Sequence, residues 1–434
     1  MTPQSHVLVI APVKMECEAE LRALLGSMNS KPGQANPENP IVPFGQFEQI
    51  HFARFVILTD RTEEDIHTLY GLPAVHYPVT LAFFADFDGT ADDFRADLAA
   101  RAGEGLQHIF SFCQDFTPGA DLARWMKDHE SPAATMYMNW RGRTVTEIRQ
   151  ENALRLDLEC HIQENQEAFS KMTPEQVHKA LQEFVTAEIY RSRLKLDRPK
   201  RTPFGWWLRN LIHLIGVPII LLVLTPFVIL YSPIFIYQLR SREKTDKQYA
   251  PRVSPCDEAK LGNLEDYDVT NQFTVVGGIK PGLFRRWLMS YLLWLVEYTT
   301  RHIFIRGHLA RVSTIHAARW VFINDKKRMV FASNYDGSLD SYMDDFINKV
   351  GWGLNLVFSN GISYPRTDWL VLNGSKNEQP YKYVLRRHQL PTEVWYKAYP
   401  GLTVFDLKRN TLIRRGIEKK YMSDEELRQW VALF

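Results

Sequence analysis

The segment Ile50-His51-Phe52-Ala53-Arg54-Phe55-Val56 returns as Ile315-His316-Ala317-Ala318-Arg319-Trp320-Val321, and Asp86-Phe87-Asp88-Gly89-Thr90 returns as Asn334-Tyr335-Asp336-Gly337-Ser338. The second match keeps one constant spacing, which also carries Asp97 onto Asp345, Gly105 onto Gly353 and Phe110-Ser111 onto Phe358-Ser359. After a change in loop length, His129, Pro132, Tyr137, Gly142 and Thr144-Val145 correspond to His388, Pro391, Tyr396, Gly401 and Thr403-Val404. Self-similarity over this span implies one supersecondary unit written twice, over about 5–155 and 271–416. At 434 residues the chain is also too long for one ordinary core.

Hydrophobic spacing gives the same order of elements in each copy. The first reads as strand 6–13, helix 16–28, strands 50–58 and 80–87, helix 91–102 and strand 135–140. The second reads as strand 273–279, helix 283–302, strands 314–323 and 329–334, helix 339–350 and strand 393–398. This βαββαβ order predicts an α+β chain of two ferredoxin-like repeats, each an antiparallel sheet covered on one face by two helices. The expected division is 1–155 first repeat, 156–205 helical linker, 206–240 membrane-embedded segment, 241–270 loop, and 271–434 second repeat with a C-terminal extension. Thr173-Pro174-Glu175-Gln176 is a capping box that should open a linker helix.

The duplicated element order resembles the dimeric α+β barrel superfamily. That group includes dye-decolorizing peroxidases, chlorite dismutases, antibiotic-biosynthesis-type monooxygenases and stress-responsive barrel proteins. Ala85-Asp86-Phe87-Asp88-Gly89 and Ser333-Asn334-Tyr335-Asp336-Gly337 are similar to the peroxidase GxxDG motif with its first Gly replaced. The resemblance implies two sheets packed face to face into an intramolecular α+β barrel. It also implies a pocket for a hydrophobic small molecule or a haem.

Residues 210–239 contain no Asp, Glu, Lys or Arg, a run long enough to reach across a bilayer as a helix. Pro218, Pro226 and Pro233 interrupt it, each removing a backbone donor. Arg191, Arg193, Lys195, Arg198, Lys200, Arg201 and Arg209 precede it, and Arg240, Arg242, Lys244 and Lys247 follow. Basic residues favour the cytoplasmic face, so both flanks favour one side. The expectation is a re-entrant or shallow apolar hairpin in the lipid bilayer, favoured over a single span and over a buried core hairpin, with both soluble units on the cytoplasmic side. The amino terminus lacks the pattern of a secretory signal, and the four cysteines form no CxxC pair. Helix 283–302 is apolar nearly all round, with Arg285, Arg286, Arg301 and Arg306 outside its apolar stretch.

His51 and Arg54, like His316 and Arg319, stand three apart and should point to opposite faces of a strand. A buried Arg needs an acceptor, for which Asp88, Asp336 or Asn334 serves. The Asp-Gly steps also read as turns, with Thr90 and Ser338 as helix N-caps. On an enzyme reading, Arg319, Asp336, His388 and His316 are the catalytic candidates. His388 and Arg366 are then the cofactor-binding ones, with His388 as axial haem ligand. Asn334, Tyr396, Arg54 and Asp88 are the ligand-contacting ones. No Walker loop, GxGxxG, HExxH or GxSxG occurs, no metal site is expected, and a net charge of +2 predicts no nucleic-acid partner. Two functions stay open: a membrane-associated oxidoreductase-like protein, peroxidase- or monooxygenase-like, and a non-catalytic membrane-bound scaffold or lipid-binding protein. Pairing with a second copy is open as well.

Overall fold

The computed structural model describes residues 2–434 apart from 60, 61, 140, 267, 306 and 308. Trp140, the expected end of a strand, and Arg306, an expected flank, lie outside the described residues. The main strands are β1 (Gln4–Pro12), β2 (Ile50–Leu58), β3 (Thr80–Asp88), β4 (Thr135–Met138), β5 (Thr270–Gly278), β6 (Ile315–Ile323), β7 (Arg328–Asp336) and β8 (Thr392–Lys397). The helices of the first half are α1 (Glu18–Ser27), α2 (Asp65–Tyr70), α3 (Ala91–Arg101), α4 (Gly103–Phe110), α5 (Leu122–Asp128) and α6 (Val145–Glu164). Then come α7 (Gln166–Phe169), α8 (Pro174–Tyr190), α9 (Phe204–Thr245) and α10 (Pro255–Glu265). The second half adds α11 (Leu283–His302), α12 (Leu339–Phe358), α13 (Glu378–His388), α14 (Val404–Glu418) and α15 (Asp424–Val431).

The chain is a mixed α and β structure built on two four-stranded antiparallel sheets, ordered β1-β3-β2-β8 and β4-β6-β7-β5, neither closed on itself. The last strand of each half does not complete its own sheet, as expected from sequence, but pairs along β2 or β6 of the other half. Prolines explain the crossing. Before Pro132 the chain runs beside β1, where the Ile10 N–H donates to His129 O (3.0 Å) and the Ser131 N–H to Leu8 O (2.8 Å). Before Pro391 it runs beside β5, the Leu390 N–H donating to Thr274 O (2.9 Å). A proline has no N–H to continue the ladder. Past it the chain moves to the other sheet, and the Ala134 N–H donates to Trp320 O (2.8 Å).

Three apolar layers result. Leu8, Val56, Leu58, Ala82 and Phe84 of one sheet meet Val276, Val321, Val330 and Ala332 of the other. The outer faces pack under helices through Phe55, Phe83, Phe94 and Leu106 in one half and through Met289, Phe331, Met343 and Leu354 in the other. Matched positions even break helix alike. Ala102, between α3 and α4, has φ −128° and ψ 21°, and Val350, inside α12, has φ −139° and ψ 22°. Both Asp-Gly steps are turns, with Gly89 at φ 101° and Gly337 at φ 81°. Thr90 and Ser338 then cap the next helices, each accepting a backbone N–H at 3.2 Å.

The linker departs from expectation in two places. Residues 255–265, assigned to loop, are helix α10, opened by Ser254 accepting the Asp257 N–H (3.2 Å) with Pro255 at the first helical position. The apolar segment is not a hairpin but one continuous helix, α9, of 42 residues. At 1.5 Å per residue it is about 63 Å long. Pro218 and Pro233 are tolerated because other groups take the carbonyls they orphan. Tyr298 Oη donates to Leu214 O (3.2 Å), four residues before Pro218, and Ser232 Oγ to Ile229 O (2.8 Å), four before Pro233. Hydroxyls repair proline-broken helices in this way where no water is at hand.

Helix α9 lies antiparallel along α11 and is tied to it near both ends. Near the start His213 meets His302 (2.8 Å) and Glu297 (3.1 Å), and Arg301 Nε donates to Asn210 Oδ1 (2.7 Å). Near the end Phe235 packs on Phe284 (5.6 Å), and Leu239 joins Leu288 and Leu292. Buried Glu243 and the following Asp246 finish the tie, Glu243 accepting the Leu370 N–H (2.7 Å) and Asp246 binding Lys280 and Arg285 at 2.6 Å each. Between the ties, residues 222–231 are exposed on every side.

Candidate functional site

The polar residues shared by both halves gather between the sheets. Arg54 on β2 and Arg319 on β6 are both almost fully buried and each crosses to the opposite sheet. Arg319 Nη2 donates to Asp86 Oδ1 on β3. Arg54 donates to Asn334 Oδ1 on β7, to Thr274 Oγ1 (3.1 Å) and to two carbonyls. Both guanidinium groups lie over Phe84, at 5.5 and 5.4 Å, and Arg54 also over Trp395 at 5.2 Å. The arrangement is two-fold in outline and broken in charge, because Asp86 corresponds to Asn334. Of the acceptors expected from sequence, Asn334 serves Arg54, whereas Asp88 and Asp336 do something else.

Each of those aspartates joins a histidine to a helix start. A bulge at His51, and another at His316, shifts the strand register and upsets the simple alternation expected from the spacing. His51 Nε2 lies 3.0 Å from Asp88 Oδ1, and His316 Nε2 lies 2.7 Å from Asp336 Oδ1. The second carboxylate oxygens accept the Val145 N–H (2.9 Å) and the Val404 N–H (2.7 Å), the first N–H groups of α6 and α14. Thr144 and Thr403 complete these helix starts as capping boxes. The two histidines line a cavity of about 30 Å³ with Tyr399, whose hydroxyl lies 3.1 Å from His51 Nδ1.

The remaining candidates lie apart. His388, at the end of α13, packs against the backbone of Gly277, where a Cβ would stand 2.7 Å from its Nδ1. It lines a mostly apolar cavity of about 50 Å³ beneath Met289, Phe331 and Tyr364. Sites for cofactor-sized ligands run about 300–1,000 Å³, so a haem does not fit there. Tyr396 is on the helix-covered side of the first sheet, stacked on Phe44 (5.3 Å), and burial raises its pKa. Arg366 is exposed on a loop. Arg319, Asp336 and His388 therefore occupy three separate places.

Sequence reasoning passed over Asp86, His6 and Glu265, although Asp86 stood opposite Asn334 in the repeat. His6 pairs with Asp86 in the β1–β3 register. Burial, then Arg319 and Arg141, push its pKa down to about 3. Arg54 is pushed down to about 9, chiefly by burial and then by Arg319. Burial pushes Glu265 up to about 7, against the Gln389 amide (2.7 Å) and the Thr392 N–H (2.6 Å) that donate to it.

The Glu265 shift has a definite sign. The unfolded carboxyl loses its proton near 4.5 and the folded one near 7. Its contribution therefore falls as pH rises through that window and is flat above it, by about 3 kcal/mol in all. Glu265→Gln should be more stable relative to the parent at pH 8 than at pH 5, by roughly that amount. Urea midpoints of both proteins at the two pH values check this. An unchanged difference would contradict it. His6 works the other way, adding stability as pH rises from 3 to 6.5. Comparing variant with parent at each pH cancels it.

Comparison with protein-family models and with curated proteins found no match to the chain.

Proposed function

We propose that this protein works at a membrane surface as a monotopic, non-catalytic binding protein, with α9 lying in the plane of the bilayer. In this reading the two sheets form an intramolecular α+β barrel of exchanged ferredoxin-like halves. The residues common to the halves hold that barrel together. The observation that carries the reading is the path of α9: long and apolar enough to cross a membrane, exposed over most of its surface, yet tied at both ends to α11. A perpendicular span would draw α11, and the sheet edge it packs on, to membrane depth. Irregular backbone and the charges of Arg286 and Glu297 are not tolerated against lipid there. Submerged parallel to the bilayer plane, α9, apolar on every side, instead presents Leu222, Phe227 and Leu230 to the acyl chains, and α11 adds Leu283, Trp287 and Tyr291, all exposed.

The catalytic alternative needs a cavity that joins Arg319, Asp336 and His388. The cavities lined by His316 and by His388 hold about 30 and 50 Å³, neither is lined by Arg319 or Asp336, and Arg319 is committed to Asp86. Flotation with phosphatidylcholine vesicles tests the proposal. The protein should rise with them and stay bound in high salt, because the attachment is apolar. Protein left at the bottom of the gradient would overturn it.

A further inference from the structure

A cavity of about 370 Å³ opens where the end of β5 and the start of α11 meet the β6–β7 turn and the loop after α2. Its volume is that of a small-molecule site. One wall is apolar, formed by Ile66, Leu72, Val75 and Ile362, with Leu72 and Val75 exposed at the mouth. The other wall is basic, with Lys280, Arg286, Lys327 and Arg328.

Among the described residues, the cations lining this cavity outnumber its carboxylates. Glu63 is its one lining carboxylate among the described residues, and it is held by His76 Nδ1 (2.6 Å) and the Tyr77 N–H (2.9 Å). Lys280 is occupied by Asp246 (2.6 Å) and Ser359 O (2.8 Å). Arg286 and Lys327 have no ion-pair partner among the described residues. The cavity also adjoins the apolar face. Gly282, in its wall, precedes exposed Leu283, and Lys326, beside Lys327, lies 5.9 Å from the ring of exposed Trp287. Cations beside an apolar wall, at the level where a bilayer's headgroups would sit, match a negatively charged head joined to an acyl chain.

We infer that this cavity binds one anionic phospholipid, its phosphate held by Arg286 and Lys327 and its chain laid along Leu72, Val75 and Ile362. The assignment takes its lipid source from the membrane attachment proposed above, but it is measured separately. Calorimetric titration of the full chain in a maltoside detergent with dihexanoyl phosphatidylglycerol, below its micelle concentration, should give one saturable site. Arg286→Gln with Lys327→Gln should weaken that site about thirtyfold. Val75→Trp, at the mouth, should block it with the melting temperature unchanged. Lys195→Gln with Lys200→Gln, in the basic flank, should leave it as it was. Equal binding of dihexanoyl phosphatidylcholine, binding of inorganic phosphate as tight as that of the lipid, or indifference to both pocket variants would overturn the inference. The Arg286→Gln/Lys327→Gln protein should still float with phosphatidylcholine vesicles. If the parent binds the short lipid and does not float, the attachment falls and the pocket stands.

Discussion

Replacing Leu222, Phe227 and Leu230 together by aspartate should release the protein from phospholipid vesicles while leaving its melting temperature within a degree or two. These side chains are 72, 59 and 69% exposed and lie in the stretch of α9 whose residues are all exposed, so the fold has little to lose. The membrane has much to lose. Each apolar side chain contributes about 1.5–3 kcal/mol on burial, and an aspartate held among acyl chains costs a further 2–3 kcal/mol or so. Three such changes sum to on the order of 10 kcal/mol, enough to shift the bound fraction from nearly all to nearly none. Flotation reads the result directly. A variant that still floats would mean that another surface holds the membrane.

The second large effect concerns the two arginines between the sheets, which look equivalent in sequence and are not. Arg319→Met leaves the Asp86 carboxylate buried without its counter-charge. Breaking a buried ion pair from one side costs about 3–5 kcal/mol. Arg54→Met leaves only neutral acceptors, Asn334, Thr274 and two carbonyls, at about 1–3 kcal/mol. It also removes a cation whose charge is already disfavoured by Arg319. Urea unfolding should thus rank Arg319→Met well below Arg54→Met. Adding Asp86→Leu to Arg319→Met should recover much of the loss, since the stranded charge goes with it. Equal losses at the two sites, or no recovery in the double variant, would contradict the asymmetry.

That asymmetry was written in the sequence as Asp86 opposite Asn334, and so was most of the element order. The main strands of both halves and helices α1, α3 and α11 lie within a few residues of where the hydrophobic spacing put them, whereas α12 continues to Phe358 rather than ending near 350, and α2, α4 and α5 were not expected. The partner of each last strand was not legible, because a β pattern specifies which residues alternate and not which neighbour receives them. Pro132 and Pro391 were the signal for the crossing, and they acquire that meaning only beside a ladder that must end. The roles of Asp88 and Asp336 were hidden by the bulges at His51 and His316, since one extra residue re-aims a side chain that simple alternation would send elsewhere. In α9 the three prolines suggested a break. The groups that rescue the orphaned carbonyls include Tyr298, which stands far along the chain in a helix that only the fold brings near. Ser254-Pro255 is a helix start that a polar, proline-containing stretch disguised as loop.

Histidine, aspartate and arginine recurring in both halves look like chemistry. Here the histidines and aspartates fasten the starts of α6 and α14 to the strand ends, and the arginines stitch one sheet to the other. The 370 Å³ cavity left no such mark. Its residues come from distant parts of the chain.

The central claim, that α9 lies in the membrane rather than through it, is tested most directly by the sidedness of its two flanks. In a chain whose four cysteines are replaced by serine, Lys200→Cys and Lys247→Cys place single thiols before and after the helix. In sealed vesicles that carry the protein on their outer face, a membrane-impermeant maleimide should label both positions to the same extent, without detergent. Labelling of one position only, with the other reached after detergent is added, would mean that the helix crosses the bilayer.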